Sequence, residues 1–306
     1  MAAGGAAAGL SSLSIGPVFF NWAPERWRDF HFRLADEAPV DRVHIGEVIC
    51  SKRAGFFAPH IPDVVERLQR GGKQVVLSLP ALNTLRRELD WLREMAASDD
   101  LTLEANDVSA LALLAGRRHA VGPFVNVYNE GTLGVLAERG AVRLCPPPEL
   151  SAEALGALAA GAPEGLSLEP LAFGRIPLAI SARCYHARAH GRSKAACQYV
   201  CGEDPDGLAV ETMDGAPFLA VNGLQTLSHA CLALVGELGS CRDMGISQFR
   251  LSPQSCDMVA VAEIYRAVLD GAEPAERALK RLAALTPGMA LCNGYFHGAR
   301  GDAFCR

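Results

Sequence analysis

The chain lacks any run of about 18 apolar residues, because Gly, Pro or charge interrupts every hydrophobic stretch; a membrane-spanning helix is not expected. It also lacks a strong excess of one charge. A formal net charge of -5 gives no electrostatic case for a nucleic-acid partner. Several catalytic signatures are missing. No Gly-x-Gly-x-x-Gly follows a candidate strand, so a dinucleotide-binding fold has no anchor. Neither a Gly-x-Ser-x-Gly elbow nor a His-Glu-x-x-His helix occurs, which removes the commonest serine-hydrolase and zinc-protease arrangements. Residues 1–12, MAAGGAAAGLSS, have no positive n-region and no continuous apolar h-region, so a secretory signal is not expected. They read as a disordered Ala/Gly-rich leader before a single domain over 13–306. A reducing cytoplasm is the expected location, where cysteines act as ligands, catalysts or core fillers rather than disulfides.

What is present is enough apolar residue for a large core: half of 306. Short apolar or β-branched runs alternate with longer amphipathic ones. The strand candidates are Leu13–Val18, Arg42–Glu47, Gln74–Leu79, Leu101–Ala105 and Phe124–Tyr128. Val142–Leu144, Leu166–Leu171, Pro177–Ala182, Phe218–Val221 and Gln248–Ser252 continue the series. Helical spacing marks Ala58–Gly71, Leu82–Ala97, Leu224–Leu238 and Cys256–Gly271. Alternation repeated this often predicts an α/β fold with parallel strands and crossover helices, and a single (β/α)8-type barrel, with room for distortion, accommodates the length. Functional groups in such barrels sit where strands end. Glu47, Pro80, Glu104–Asp107, Asn126–Asn129, Glu169, Arg183, Cys184, Asn222, Pro253 and Gln254 occupy those places. Loop-starting and helix-capping preferences would put some of the same residue types there without any chemistry.

Ten cysteines are present, and four stand out. Cys184, Cys197 and Cys201 bracket a polar, basic stretch, Tyr185–Lys194, that is poor in core formers. Such a loop needs an external anchor, and thiolates gathered on a metal convert ligand bonds into folding free energy. Cys50 closes the apolar run Val48-Ile49-Cys50 and precedes Ser51-Lys52-Arg53. Zinc and iron–sulfur clusters both suit four cysteines. The spacing is looser than a Cys-x2-4-Cys knuckle and is not repeated, which favours iron–sulfur. Cys231, in the expected helix, together with Cys145 and Cys256, reads as structural filler, and Cys241, Cys292 and Cys305 lack a partner at useful spacing. His186 and His190 lie inside the ligand loop, where a zinc role competes with simple solvation. A cysteine–histidine dyad stays open, since His44, His119, His229 and His297 are unplaced.

The run Ser181-Ala182-Arg183-Cys184-Tyr185-x-Ala187-Arg188 followed by Cys197-x3-Cys201 resembles the UbiV-like group of the collagenase-like peptidase family. Further matches are Gly46–Arg53, Glu104–Asp107, Val221–Thr226, Arg250–Gln254 and Cys292–Gly298. The resemblance implies a 4Fe-4S cluster on Cys50, Cys184, Cys197 and Cys201. It implies a heterodimer with a UbiU-like protein and a sterol-carrier-like lipid-binding associate, UbiT. It implies a role as one component, inactive alone, of an oxygen-independent hydroxylase of the ubiquinone precursor ring, with prephenate as oxygen donor. Peptidase members of the family carry a cysteine-containing signature after Glu-x-Phe. Here the corresponding run is Glu169-Pro170-Leu171-Ala172-Phe173-Gly174, and the residues after Cys184 follow the UbiV-like pattern. A cysteine-dependent peptidase and a zinc-binding structural subunit are the alternatives.

Overall fold

A computed structural model describes residues 11–305. Most of the parallel strands are short, and Gly16, Gly46, Asn106 and Gly122 each follow the end of one of them. The first seven are β1 (Ser12–Ile15), β2 (Arg42–Ile45), β3 (Gln74–Ser78), β4 (Thr102–Ala105), β5 (His119–Val121), β6 (Ala141–Leu144) and β7 (Ser167–Leu168). Then come β8 (Leu171–Ile180), β9 (Leu208–Glu211), β10 (Pro217–Asn222), β11 (Gln225–Ala233), β12 (Gln248–Leu251) and β13 (Leu291–Cys292). The crossover helices are α1 (Pro24–Glu37), α2 (Ala54–Phe57), α3 (Ile61–Arg70), α4 (Arg86–Ala97), α5 (Val108–Leu113), α6 (Glu130–Glu138) and α7 (Ala152–Ala160). Later helices are α8 (Tyr185–Ala189), α9 (Leu238–Asp243), α10 (Met258–Leu269) and α11 (Ala275–Leu285).

The result is a single-domain α/β fold around one mostly parallel sheet. Its order is β7-β6-β5-β4-β3-β2-β1-β12-β8-β11-β10-β9, with β13 beside β11. Pairs from β7 through β12, and β12 with β8, are parallel, as crossover helices require. The β8–β11–β10–β9 end is antiparallel. Only Glu169 and Pro170 separate β7, which pairs with β6, from β8, which pairs with β12. Glu169 N donates to Leu144 O at 2.8 Å and Arg250 N to Pro170 O at 3.0 Å. Among the described residues no helix is long and apolar enough to cross a membrane.

Three sequence expectations are corrected. Leu224–Leu238 is not helical: it forms β11, because Gly223, at φ +62°, turns the chain in a two-residue hairpin from β10. Cys231 is therefore a strand residue, fully buried as expected of a filler. Phe124–Tyr128 is not a strand, since Pro123 starts a 3-10 turn and Asn126 takes a left-handed φ of +58°; the neighbouring His119–Val121 pairs instead. Strand β1 begins at Ser12, inside the expected leader, and residues 1–10 of that leader lie outside the described residues.

One face of the parallel strands is buried and charged. Arg42 reaches Glu169 at 2.7 Å, Arg250 bridges Glu169 at 2.6 Å and Glu104 at 2.5 Å, and His44 lies 3.2 Å from Glu104. Glu104 and Glu169, expected at the rim, are instead fully buried in this network. Burial alone would raise Glu169, but Arg250, His44, Arg42 and Arg143 outweigh it and hold it at about 2. Burial lowers His31 to about 4, against a partial opposing pull from the Trp27 carbonyl. Both folded values lie below the unfolded ones. The stability they contribute is full above the unfolded pKa and is lost as pH falls through the folded one. Urea unfolding midpoints should therefore hold near neutrality and start to drop below about pH 6.5 as His31 protonates in the unfolded chain. That drop should reach about 3 kcal/mol from His31 by pH 4. A second drop between about pH 4.5 and 2 should follow from Glu169. A midpoint flat from pH 7 to 4 would contradict the His31 assignment, and no further drop between pH 4 and 2 would contradict that of Glu169.

Candidate metal centre

Cys50, Cys184, Cys197 and Cys201, from three separate segments, line one small cavity at the end of the parallel strands, together with Lys52, Arg53 and Lys194. The floor is apolar: Phe19, Val48, Ile49 and Leu224 form a buried cluster against which Cys50 and Cys184 pack. Each cysteine is positioned by its own local structure.

The loop after β2 presents Cys50. Gly46 opens it at φ +111°, and a Cβ there would sit 2.5 Å from Ser78 O. Glu47 then turns inward, its Oε1 accepting from Ile49 N and Cys50 N, both at 2.9 Å, and from Arg53 at 2.7 Å. Arg53 is almost fully buried and also donates to Phe19 O and Asn222 Oδ1. An ion pair thus locks the loop from beneath. Replacing Gly46 with Ala should cost about 2–4 kcal/mol, from the disallowed φ and the clash with the β3 backbone. Chemical denaturation measures it; a cost below about 1 kcal/mol would mean that the loop can adopt another path.

Cys184 caps α8, with Ala187 N–H directed at its sulfur at 3.4 Å. Cys197 and Cys201 are brought together by Gln198 and Tyr199, two consecutive non-glycine residues at φ +49° and +54°. That backbone costs about 1–3 kcal/mol per residue and persists only where surroundings enforce it. Here Asn21 donates to Tyr199 O, and Phe56 packs edge-on against the Tyr199 ring. The Lys52 ammonium lies 5.4 Å over that ring and donates to Lys194 O at 2.8 Å and to Cys197 Sγ at 3.3 Å.

Electrostatics single out Cys197 among the cysteines. Burial pushes Cys145, Cys231, Cys241, Cys256 and Cys292 up to about 12, so they stay neutral thiols. Burial also raises Cys50 and Cys201, but Arg53 opposes it at both. Burial would raise Cys197 too, yet backbone N–H at Tyr199 and the Lys52 cation outweigh it and lower the thiol. Lys52 thus favours the thiolate at Cys197, and Arg53 pulls in the same direction at Cys50 and Cys201.

The four cysteine sulfurs are not packed as around one ion. Among the described residues the group whose ligand atoms all lie within 4.8 Å of one another is His186, His190 and Asp204; no three of the cysteines qualify. Four thiolates on a single zinc would stand about 3.8 Å apart, from Zn–S bonds near 2.3 Å in a tetrahedron. A cubane cluster spreads its thiolates further.

The sequence placed the four cysteines together but not what holds them. In the sequence Lys52 and Arg53 merely follow Cys50, and Lys194 is one of several basic residues of the loop. A second cavity, about 320 Å³, lies across the Gly46–Ser51 loop from the cysteines. Phe57, Ile61, Leu77 and Trp91 line it, with Glu47, Arg87 and Glu88 as its charged members. Part of its wall comes from α2, α3 and α4; periodicity marks the last two as helices without saying that they leave a gap.

The sequence profile of Peptidase family U32 matches residues 29–303. Among solved structures, the chain is similar to the U32 peptidase Mk0906 at 12% identity and a TM-score of 0.45, covering 81% of this chain and 94% of that one.

Proposed function

The chain belongs to Peptidase family U32, and from that premise we propose that it is the UbiV-like, iron–sulfur subunit of an oxygen-independent hydroxylase of the ubiquinone precursor ring. The observation that carries this is the cavity shared by Cys50, Cys184, Cys197 and Cys201, walled by Lys52, Arg53 and Lys194. Those four side chains would hold a 4Fe-4S cluster, and no three of their sulfurs lie within 4.8 Å of one another, as thiolates sharing one zinc ion would. When bound, such a cluster supplies one-electron transfer. The chain's own residues set its surroundings. The Phe19–Leu224 floor keeps water from one side. Lys52 and Arg53 offset the negative charge of the thiolates, and Lys52 hydrogen-bonds one sulfur directly, both of which tune a cluster's potential. Glu47 fixes Arg53 and the Cys50 backbone.

The neighbouring apolar cavity suits a ring with a prenyl tail. A UbiU-like chain would complete the enzyme, with prephenate as oxygen donor and UbiT presenting the lipid, in the cytoplasm. The peptidase reading is the weaker one. Among the described residues no sulfur of the four is hydrogen-bonded to a histidine ring, the contact that activates a cysteine nucleophile. The finer fold reading goes with the function: β1 to β6, the β7–β8 segment and β12 form a closed eight-stranded barrel. Its support is the pair of hydrogen bonds that tie Glu169 to β6 and Pro170 to β12.

Deletion of the gene for this chain should abolish ubiquinone formation without oxygen and leave it intact in air. Co-expression with a UbiU-like chain should give a one-to-one complex on an anaerobic sizing column. Normal anaerobic ubiquinone in the deletion strain would refute the role, and separate elution would refute the heterodimer.

A further inference from the structure

Beside the cysteine cavity, α8 carries His186, and His190 ends it as the C-terminal cap four residues on, a spacing that puts both on one helix face. Their rings are nearly parallel, 8° apart in plane and 5.5 Å between centroids. Asp204 arrives from the turn that follows Cys201. One ligand atom from each of the three residues lies within 4.8 Å of the other two.

His186 is fully buried and already oriented. Its Nδ1 sits 3.1 Å from Val221 O, which makes Nδ1 the donor and leaves Nε2 as the free lone pair. Nε2 is 2.9 Å from Asp204 Oδ2 but has no hydrogen-bond partner, so a buried lone pair faces a carboxylate. Metal-binding histidines show this pattern: one nitrogen held by a backbone carbonyl, the other turned toward a shared ion. His190 is exposed and Asp204 half-buried, so an ion could enter from solvent.

We propose that His186, His190 and Asp204 bind one divalent transition-metal ion of the zinc class, at a site separate from the cysteine cavity. Two imidazoles and one carboxylate suit Zn²⁺, Co²⁺ or Ni²⁺ and leave a fourth position for water. The ion ties α8, just after Cys184, to the turn just after Cys201. It thereby clamps both ends of the basic loop whose lack of an internal core the sequence made plain.

The inference uses no cysteine and stands apart from the iron–sulfur reading. Cobalt(II) is the probe, titrated anaerobically at neutral pH into the full-length chain and followed by its visible spectrum and by calorimetry. One component with weak d–d bands and no thiolate charge-transfer band is expected. It should persist in a Cys197→Ser/Cys201→Ser variant and weaken about tenfold or more in His190→Ala and in Asp204→Asn. His190 is exposed, so His190→Ala should melt like the wild type without metal, while added Zn²⁺ should raise the melting temperature of the wild type only. Cobalt binding that shows thiolate bands alone, or equal affinity in wild type, His190→Ala and Asp204→Asn, would overturn the site and leave an ordinary histidine–aspartate contact.

Discussion

The Cys197→Ala/Cys201→Ala double variant is expected to lose all bound iron and sulfide and, with them, anaerobic ubiquinone formation, while aerobic formation continues. Both residues come from one strained turn, and Cys201 is among the most buried of the four. No other described side chain is placed to substitute. His186 is held by Val221 O with its other nitrogen turned toward Asp204, and the remaining buried thiols are held neutral by their surroundings. The control is Cys231→Ala. Cys231 packs in β11 away from the cavity, so its variant should keep full iron and lose about 1–2 kcal/mol of stability, as expected for a small buried filler. Full iron in the double variant, or iron lost in Cys231→Ala, would show that the ligands are misassigned.

The largest stability effect is expected at Arg250. Its guanidinium is the shared partner of Glu104 and Glu169, both fully buried. An Arg250→Met replacement keeps much of the volume but leaves Glu104 in the interior without its arginine and Glu169 with Arg42 alone. Breaking a buried pair from one side costs about 3–5 kcal/mol, because the abandoned charge has no water to turn to. Melting should fall by roughly 10 °C for a chain of this size. Adding Glu104→Gln to Arg250→Met should recover part of the loss, since the neutral amide needs less compensation. A double-mutant cycle with coupling near zero, or a single-variant cost under about 1 kcal/mol, would show that the network is not the internal support described above.

The two variants draw on different parts of the sequence signal. The cysteine site was readable because its logic is local: a basic loop that cannot bury itself, bracketed by thiols, and one more thiol at a strand exit. Arg250 was not readable as a network centre. Its partners lie 81 and 146 positions away, and alternation shows only that Arg42, His44, Glu104 and Arg250 fall on one face, not that the face is enclosed. Glu104 and Glu169 were placed at the rim for that reason. The β11 error has a related cause. Gln225–Ala233 is rich in apolar residues at both helical and strand spacings, and the decisive feature is the Gly223 turn that returns it against β10. Arg53 illustrates the limit most clearly. Next to Lys52 in sequence it looks like a second solvated cation, yet it is almost fully buried and holds Glu47, whereas Lys52 reaches outward to the cysteine loop.

The central claim is that the four cysteines hold an iron–sulfur cluster, and metal and sulfide analysis after strictly anaerobic purification tests it most directly. Brown protein with iron and acid-labile sulfide in equal amounts, about four of each per chain, is the expected result. Colourless protein carrying one zinc on the cysteines, or none of these elements, would contradict it.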